Sequence, residues 1–267
     1  MRRLGVFLLA LAAFPGCFAT VAPDGGLNTP EIIGACNPTP CIRAAIGDVP
    51  TLPADLSSDA RAAISDQVAQ ALYAPLESDE PQKTDEKLMA ELVERYEEFT
   101  QPGFTDAPID WEITRTASIL FQNPEVLTIE VRSEGFVGGA HGFRDRKLFS
   151  FEPKSGKRLS LAELIEPSSE RIFHQIVETQ FRRAREVPEG KSLSDAGFFV
   201  APGEEMPVPD NFGLIQAGLL VQYNEYEVAP YVFGPTEVVV PMEALQGVVR
   251  SGSKGILSSI ESSQKRG

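Results

Sequence analysis

Apolar residues recur at the three-and-four spacing of amphipathic helices in three stretches of the chain. These stretches predict helices over residues 57–74, 84–99 and 168–185. Ser57 or Ser58 is a suitable N-cap for the first helix, and the acids that begin the second suit the helix dipole. The residues expected to face inward are Ile64, Val68, Ala71, Leu72, Leu88, Leu92, Tyr96, Phe99, Ile172, Phe173, Ile176, Val177 and Phe181.

After the second helix the period changes, and apolar residues alternate with polar ones as in half-buried strands. The predicted strands lie in residues 110–122, 125–136, 146–161 (a hairpin around residues 153–156), 211–224 and 236–241. A short closing helix is expected to start near Pro241. Strands joined by short turns favour an antiparallel sheet with helices packed on one face. The predicted fold class is α+β, in two closely associated subdomains.

The N-terminal segment, MRRLGVFLLALAAFPGC, has the pattern of an export signal, with two arginines before a short apolar run. This run, residues 6–14, is too short for a membrane-spanning helix, which needs about 20 residues. Cys17 resembles the lipidated cysteine of bacterial lipoproteins, which makes residues 1–16 the signal peptide. Cleavage after Ala19 or Ala22 is the alternative. The lipoprotein interpretation predicts a lipid-anchored protein of the bacterial cell envelope, facing the periplasm or the exterior.

Cys36 and Cys41 enclose four residues, two of which are prolines that bend the loop. In an oxidising compartment this spacing favours a disulfide. A zinc site is the alternative, but two thiolates without a nearby histidine leave a tetrahedral ion half-coordinated. We therefore expect no metal, and we expect residues 17–39 to form a tether that includes the start of the disulfide loop.

The composition supports a folded core and restricts the possible partners. Hydrophobic residues make up 42% of the chain, and the formal net charge is −14. Removal of residues 1–16 would take away two arginines and no acid, which changes the charge to −16. Such acidity disfavours nucleic acid, which requires basic patches, and favours the approach of cationic proteins. Solubility alone is the alternative explanation of the charge.

One of the two histidines lies in the glycine-rich stretch FVGGAHGFRD. Because glycine adopts backbone angles that other residues avoid, Gly138, Gly139, His141 and Gly142 predict a structural turn whose imidazole hydrogen-bonds to another segment, near NEYEVAP. Contact with a ligand and catalysis are the alternatives for His141. A catalytic histidine would need a nucleophile and an orienting partner, and the sequence has no GxSxG motif. We expect no catalytic residue and no cofactor.

The stretch QYNEYEVAPYVFGP combines aromatic residues with acids, as protein-binding surfaces do. If it were a strand, Glu225 and Glu227 would share one face and Tyr226 would point to the other. Packing of a strand against a helix is the alternative for at least half of the aromatic residues. The long loop over residues 185–211 adds two acids that suit a basic partner or simple solvation. The predicted binding residues are Tyr223, Glu225, Tyr226, Glu227, Tyr231, Phe233, Glu204 and Glu205.

Three motifs occur in a recognisable order: GGAHG, then SGKRLSLAELI, then GLLVQYNEYEVAPYVFGPTEVVVPMEAL. Together they resemble the extracellular domain of RsiV-type anti-sigma factors, which sense lysozyme, and of PdaC-type peptidoglycan deacetylases. The part that precedes them resembles the smaller domain that accompanies it in these proteins. The resemblance predicts a PdaC-like subdomain over residues 40–137, an RsiV-like domain over residues 138–250 and a flexible tail over residues 251–267.

The resemblance implies a sensing or binding module without the rest of those proteins. A region that could hold a sigma factor and the metal-binding motifs of a deacetylase are both missing from the sequence. We therefore expect a non-catalytic lipoprotein that binds a cationic protein, such as a lysozyme-like muramidase, or peptidoglycan. An envelope polysaccharide hydrolase or deacetylase-type enzyme that uses His141 with Glu225 or Glu227 is the alternative. A structural accessory of an envelope complex is the second alternative.

Overall fold

The structure, a computed structural model, describes residues 31–36, 41–75, 84–101 and 109–264. Within these ranges no helix is both long and apolar enough to cross a membrane. The predicted signal peptide, Cys17 and most of the tether lie outside the described residues. Their assignments therefore stay predictions. The tether assignment was wrong for residues 31–36, which form a strand paired with residues 41–46.

The described ranges contain six α-helices, eight strands and three short 3-10 turns. The helices are α1 (Ser58–Leu72), α2 (Asp85–Phe99), α3 (Leu161–Leu164), α4 (Glu170–Ala184), α5 (Met242–Leu245) and α6 (Lys254–Gln264). The strands are β1 (Glu31–Cys36), β2 (Cys41–Ile46), β3 (Trp111–Gln122), β4 (Leu127–Phe136), β5 (Phe143–Phe151), β6 (Phe212–Ile215), β7 (Gly218–Tyr223) and β8 (Thr236–Pro241). The 3-10 turns are Pro167–Ser169, Tyr231–Phe233 and Ser251–Ser253.

Two sheets organise the molecule, and they confirm the α+β class. The five-stranded sheet has the order β1-β2-β3-β4-β5, and the three-stranded sheet has the order β6-β7-β8. All neighbouring strands are antiparallel except β2 and β3, which are parallel because a helical segment separates them. At the first hairpin the register sets Cys36 opposite Cys41, a position from which a disulfide can form. The disulfide itself stays a prediction.

Helices α1 and α2 cover one face of the five-stranded sheet, and both begin as the sequence predicted. The Ser57 side chain accepts a hydrogen bond from the Ala60 amide at 3.2 Å, and Thr84 caps α2 in the same way. Their inward residues pack with the inward residues of β3 and β4. This apolar core consists of Ile42, Ala44, Ile46, Leu52, Ile64, Val68, Leu72, Leu88, Leu92, Trp111, Ile113, Ala117, Leu127, Ile129, Val131, Phe149 and Phe151.

A second core lies between the three-stranded sheet and helices α4 to α6. On α4, Phe173, Val177 and Phe181 are buried as predicted, but Ile172 is 52% exposed. The inward assignment of Ile172 was wrong because the core-facing stripe of α4 is centred on Phe173, Val177 and Phe181, and Ile172 lies at its margin.

The segment after β5 differs from the prediction. The turn at residues 153–156 is present, but the chain then makes only an isolated bridge, between Phe151 and Arg158, in place of a second hairpin strand. Ser160 and Glu163 form a capping box that starts α3 at once. The competing helix start therefore ends the hairpin.

Two of the predicted boundaries are also corrected. Strand β5 pairs with β4 in the first sheet, so a division at residue 138 would cut a hairpin, and the two cores separate after Phe151 instead. Residues 254–264 form helix α6 where a flexible tail was expected. Leu257 and Ile260, three residues apart, anchor that helix in the second core.

Strand β4 is buried on both faces because the second unit packs on the face that α1 and α2 leave open. The Thr128 hydroxyl lies 2.9 Å from the Ser150 hydroxyl and donates to the Leu214 carbonyl of β6. In turn, the Ser150 hydroxyl accepts from the Leu214 amide at 2.8 Å. A side chain at Gly213 would place its Cβ 2.9 Å from Thr128. The two sheets are therefore so close at this point that only glycine fits without a shift.

Substitution Thr128→Val tests this buried link. We expect a loss of about 1–3 kcal/mol in the free energy of unfolding, because the Leu214 carbonyl and the Ser150 hydroxyl lose a partner away from water. Urea denaturation measures the loss. Thr116→Val is the matched control, because no described hydrogen bond involves the Thr116 hydroxyl, and it should change stability by less than about 0.5 kcal/mol. Equal effects of the two substitutions would contradict the link.

Candidate functional site

Strand β5 ends the five-stranded sheet, so its outward amides need partners from elsewhere. Side chains of the second unit supply them. The Arg144 amide donates to the Glu225 carboxylate at 3.2 Å, the Arg146 amide to Asn224 at 2.9 Å and the Leu148 amide to Asn211 at 2.9 Å. These three side chains take the place of a sixth strand. They also bring the turn after β7 against the start of β5.

The glycine-rich turn between β4 and β5 lies beside this contact. Gly138 and Gly139 have φ values of 90° and 87°, in the left-handed region that glycine tolerates best. A Cβ at Gly138 would also stand 2.8 Å from the Trp111 ring and 3.1 Å from Phe99. Gly138 is therefore required by space as well as by backbone angle, and it directs the chain outward to His141.

His141 reaches from this turn to the turn after β7. Its Nδ1 lies 2.8 Å from the Gly142 carbonyl oxygen and its Nε2 lies 2.9 Å from the Tyr226 hydroxyl. Because a carbonyl oxygen only accepts, Nδ1 carries a hydrogen, and the Nε2 of the neutral ring accepts from Tyr226. The imidazole stacks on Tyr231 with 3.5 Å between ring centroids and 14° between ring planes. We call His141, Tyr226 and Tyr231 the aromatic patch.

The segment around Tyr226 is a turn, so the alternation that a strand would give Glu225, Tyr226 and Glu227 does not apply. The Glu227 carboxylate accepts from the Asn224 amide at 3.0 Å and closes the turn. Tyr226 has a φ of 67°, a conformation that non-glycine residues seldom adopt. Its ring is 56% exposed, so the strained backbone holds an aromatic ring in water.

Two of the predicted binding residues have structural contacts instead. Tyr223 is buried, and its hydroxyl donates to the Pro207 carbonyl at 2.8 Å. Burial raises the pKa of Tyr223 above its ordinary value, and the charge of Glu227 adds to this rise. Phe233 packs edge-on against Phe198, beneath the guanidinium of Arg185. Because the Tyr223 ring is buried, it cannot reach a partner, whereas Phe233 is half-buried and its assignment as a binding residue stays a prediction.

The acids of the long loop lie in a different contact. Glu205 pairs with Arg171 at 3.3 Å and lies 3.8 Å from His174, both on α4, and Glu204 is exposed. The loop is packed on the second core through its buried side chains. These are Leu193, Phe198, Val200 and Met206. Neither acid is in a described contact with the aromatic patch.

Sequence reasoning missed an exposed apolar side chain beside the patch. Val232, next to Tyr231, is 84% exposed, because the 3-10 turn Tyr231–Phe233 points its middle residue to solvent. Three apolar residues in a row between prolines were the available signal. Their exposure depends on a turn that the sequence pattern did not indicate.

The described contacts leave neither ring nitrogen of His141 free. Both nitrogens of His141 are in hydrogen bonds, and the partner of Nε2 is a phenol. No group of three potential metal ligands occurs among the residues that the structure describes. Glu225 is half-buried and Glu227 exposed, so the patch has acidic neighbours.

Comparison with known proteins relates part of this site to a domain family. Residues 162–243, which include Tyr226 and Tyr231, match the family described as "Protein of unknown function (DUF3298)". None of the curated proteins matches the chain. The DUF3298 match supports the resemblance to RsiV- and PdaC-type extracellular domains at the level of the domain family.

Two solved DUF3298 structures share the fold. A member of the family from Bacteroides fragilis aligns with a TM-score of 0.63 and 16% identity, over 89% of this chain and 98% of that one. A DUF3298 family protein from Pseudomonas aeruginosa aligns with a TM-score of 0.57 and 19% identity, over 85% of this chain and 96% of that one. The similarity therefore extends beyond the matched DUF3298 region to both sheets.

Two alanine substitutions in the glycine turn separate the effect of the backbone angle from the effect of limited space. They are Gly138→Ala and Gly139→Ala. At Gly139 no atom lies within 4 Å of an added Cβ, so alanine costs only the backbone term of about 1–2 kcal/mol. At Gly138 the clash with Trp111 and Phe99 adds about 1–3 kcal/mol. Urea denaturation should therefore give a clearly lower free energy of unfolding for Gly138→Ala than for Gly139→Ala. Equal losses would show that the turn does not pack on Trp111.

Proposed function

We propose that the protein is a non-catalytic binding domain, exported and lipid-anchored through Cys17 in the bacterial cell envelope. Its ligand is a cationic protein, and a lysozyme-like muramidase is the leading candidate. The observation that carries the proposal is the aromatic patch: rings that stack on one another while Tyr226 stays exposed. Rings held in place before binding lose little conformational entropy when a partner docks, and tyrosine is enriched at the centres of such interfaces.

Charge supports the cationic partner. The chain has a formal net charge of −14, and Glu225 and Glu227 lie on either side of Tyr226. Complementary charge accelerates encounter and steers orientation, while the rings supply contact area. The proposal is strengthened by the resemblance to the lysozyme-sensing RsiV-type domains.

The contacts of His141 argue against the enzyme alternative. A general base needs a free lone pair on a ring nitrogen, and the Nε2 of His141 accepts from Tyr226. The Nδ1 side faces the Gly142 carbonyl, not a carboxylate that would orient the ring for catalysis. These contacts favour a role in bracing the turn.

An envelope glycan is the second candidate ligand. The observation that favours it is the flat Tyr231 face, half-exposed beside Tyr226 at 6.0 Å between centroids. The two rings are tilted by 33° from each other, and aromatic faces of this size offer an apolar platform for a sugar ring. The same variants therefore serve for both ligands.

The test is calorimetric titration of the protein with a c-type lysozyme at low salt. We expect binding that weakens as salt increases, because exposed charges are screened. Tyr231→Ala should weaken the affinity by about 30-fold, as for a hot-spot residue worth about 2 kcal/mol. Ile172→Ala, an exposed apolar residue of α4, is the matched control and should leave the affinity unchanged.

Other outcomes decide between the alternatives. Binding to purified peptidoglycan alone, lost in Tyr231→Ala, would replace the protein ligand by the glycan. Absence of binding to both ligands, or equal affinity of Tyr231→Ala and wild type, would contradict the proposed site. Peptidoglycan turnover that disappears in a folded His141→Ala variant would contradict the non-catalytic role.

A further inference from the structure

A buried cation lies on the helix-covered face of the first sheet. Arg115 occupies an inward position of β3, between Ile113 and Ala117, and is only 4% exposed. Its Nη1 donates to the carbonyls of Leu72 and Ala74 at the end of α1, and its Nε donates to Ser133 at 3.2 Å. A charged side chain therefore occupies a core position, where it loses its hydration at a cost in free energy.

These contacts account for only part of the guanidinium. Capping the last carbonyls of α1 uses Nη1, where the helix dipole favours a positive charge. Among the described residues no carboxylate lies within ion-pair distance of Arg115, and no described hydrogen bond uses Nη2. Glu91 and Asp145 act on the charge of Arg115 without forming a described ion pair with it. Among the described contacts, Nη2 is therefore left available to an anion in the pocket.

Arg115 lines a pocket that suits such an anion. The pocket has a volume of about 230 Å³ and lies where the end of α1 meets α2, β4 and β5. Arg95, which has an interaction of its own, and Lys147 add two positive charges to its wall. Asp145 lies in the same wall, and the charge of Glu91 also acts on Arg115. Its apolar wall is formed by Ala71, Val131, Val137 and Phe143. A local excess of positive charge is notable in a chain whose net charge is −14.

Asp145 reduces the positive charge of the pocket. Desolvation raises the pKa of Asp145, although Lys147 and Arg115 oppose the rise and the residue keeps contact with solvent. The cost of taking an anion out of water rises steeply with its charge, so a pocket with a partly apolar wall favours a monoanion over a dianion. The apolar wall adds room for a short hydrocarbon part next to the charge.

We propose that this pocket binds the carboxylate of a small organic acid. The Nη2 of Arg115 and the ammonium of Lys147 hold the carboxylate, and Val131, Val137 and Phe143 contact the hydrocarbon part. The acid comes either from a free short-chain carboxylate or from the C-terminus of a short peptide. Because none of its residues belongs to the aromatic patch, the proposed pocket can be tested independently of the proposed function.

Isothermal titration calorimetry of the full chain tests the pocket with four probes. 3-Methylbutanoate represents the free acid, and N-acetyl-alanyl-alanine represents the peptide terminus. The amide of 3-methylbutanoate removes the charge, and inorganic phosphate supplies a dianion when the titration is run at about pH 8, above its second pKa. We expect one or both carboxylates to bind, and we expect the amide and phosphate to bind at least tenfold more weakly. The better carboxylate identifies the source.

Three charge variants test whether the carboxylate affinity depends on the charges that line the pocket. Lys147→Gln should weaken carboxylate binding about threefold to tenfold, and Asp145→Asn should strengthen it about threefold, since an exposed charge at contact distance contributes on the order of one kcal/mol in water. Lys154→Gln is the matched control. Lys154 pairs with Glu125 at the turn near the start of α1, roughly 20 Å from the pocket along that helix, and its loss should leave binding unchanged.

Arg115→Gln should abolish binding, but it also removes the cap of α1 and could act through a loss of folding. The proposal is therefore judged on Lys147→Gln and Asp145→Asn. Circular dichroism checks that these two variants stay folded. Failure of both carboxylates to bind at millimolar concentration would overturn the proposal. So would phosphate binding as tight as carboxylate binding, or affinities that do not respond to Lys147→Gln and Asp145→Asn.

Discussion

The outer edge of β5 is the constraint on which the rest of the molecule depends. A sheet that ends in an open strand leaves alternate amides and carbonyls without partners, and these invite pairing with another chain. In this protein Asn211, Asn224 and Glu225 close the edge with their side chains. Both asparagine side chains also return a hydrogen bond, from their amide nitrogens to the Arg146 carbonyl. The contact that closes the sheet is therefore also the joint between the two units.

The candidate site follows from this joint. Asn224 begins the turn that carries Tyr226, so docking that turn on β5 brings Tyr226 and Tyr231 over the glycine turn of His141. The positive φ of Tyr226 has an energetic cost of about 1–2 kcal/mol. The hydrogen bond to His141 and the capping of the turn by Glu227 offset it. Packing does not account for an exposed ring held at such a cost, and this supports the proposed binding role.

The local elements were predictable because short-range physics determines them. Ser57 and Thr84 start α1 and α2 with side-chain caps, and the alternation from Trp111 to Ala117 marks β3. The joint was not predictable, because Asn211 and Asn224 act as single residues across long sequence separations and leave no periodic signal. Arg115 was overlooked for a related reason: it occupies an apolar position in the alternation of β3, where a pattern search expects a hydrophobic residue. Helix α6 was missed because only Leu257 and Ile260 anchor a stretch rich in serine.

Native-state hydrogen exchange at β5 tests the joint most directly. The amides of Arg144, Arg146 and Leu148 face away from β4, and those of Asp145 and Lys147 face towards it. The account predicts that both sets are protected to within about tenfold of each other, and that Asn224→Ala releases the Arg146 amide while Lys147 stays protected. Exchange of the three outward amides in the wild-type protein at the rate of an open strand edge would contradict it.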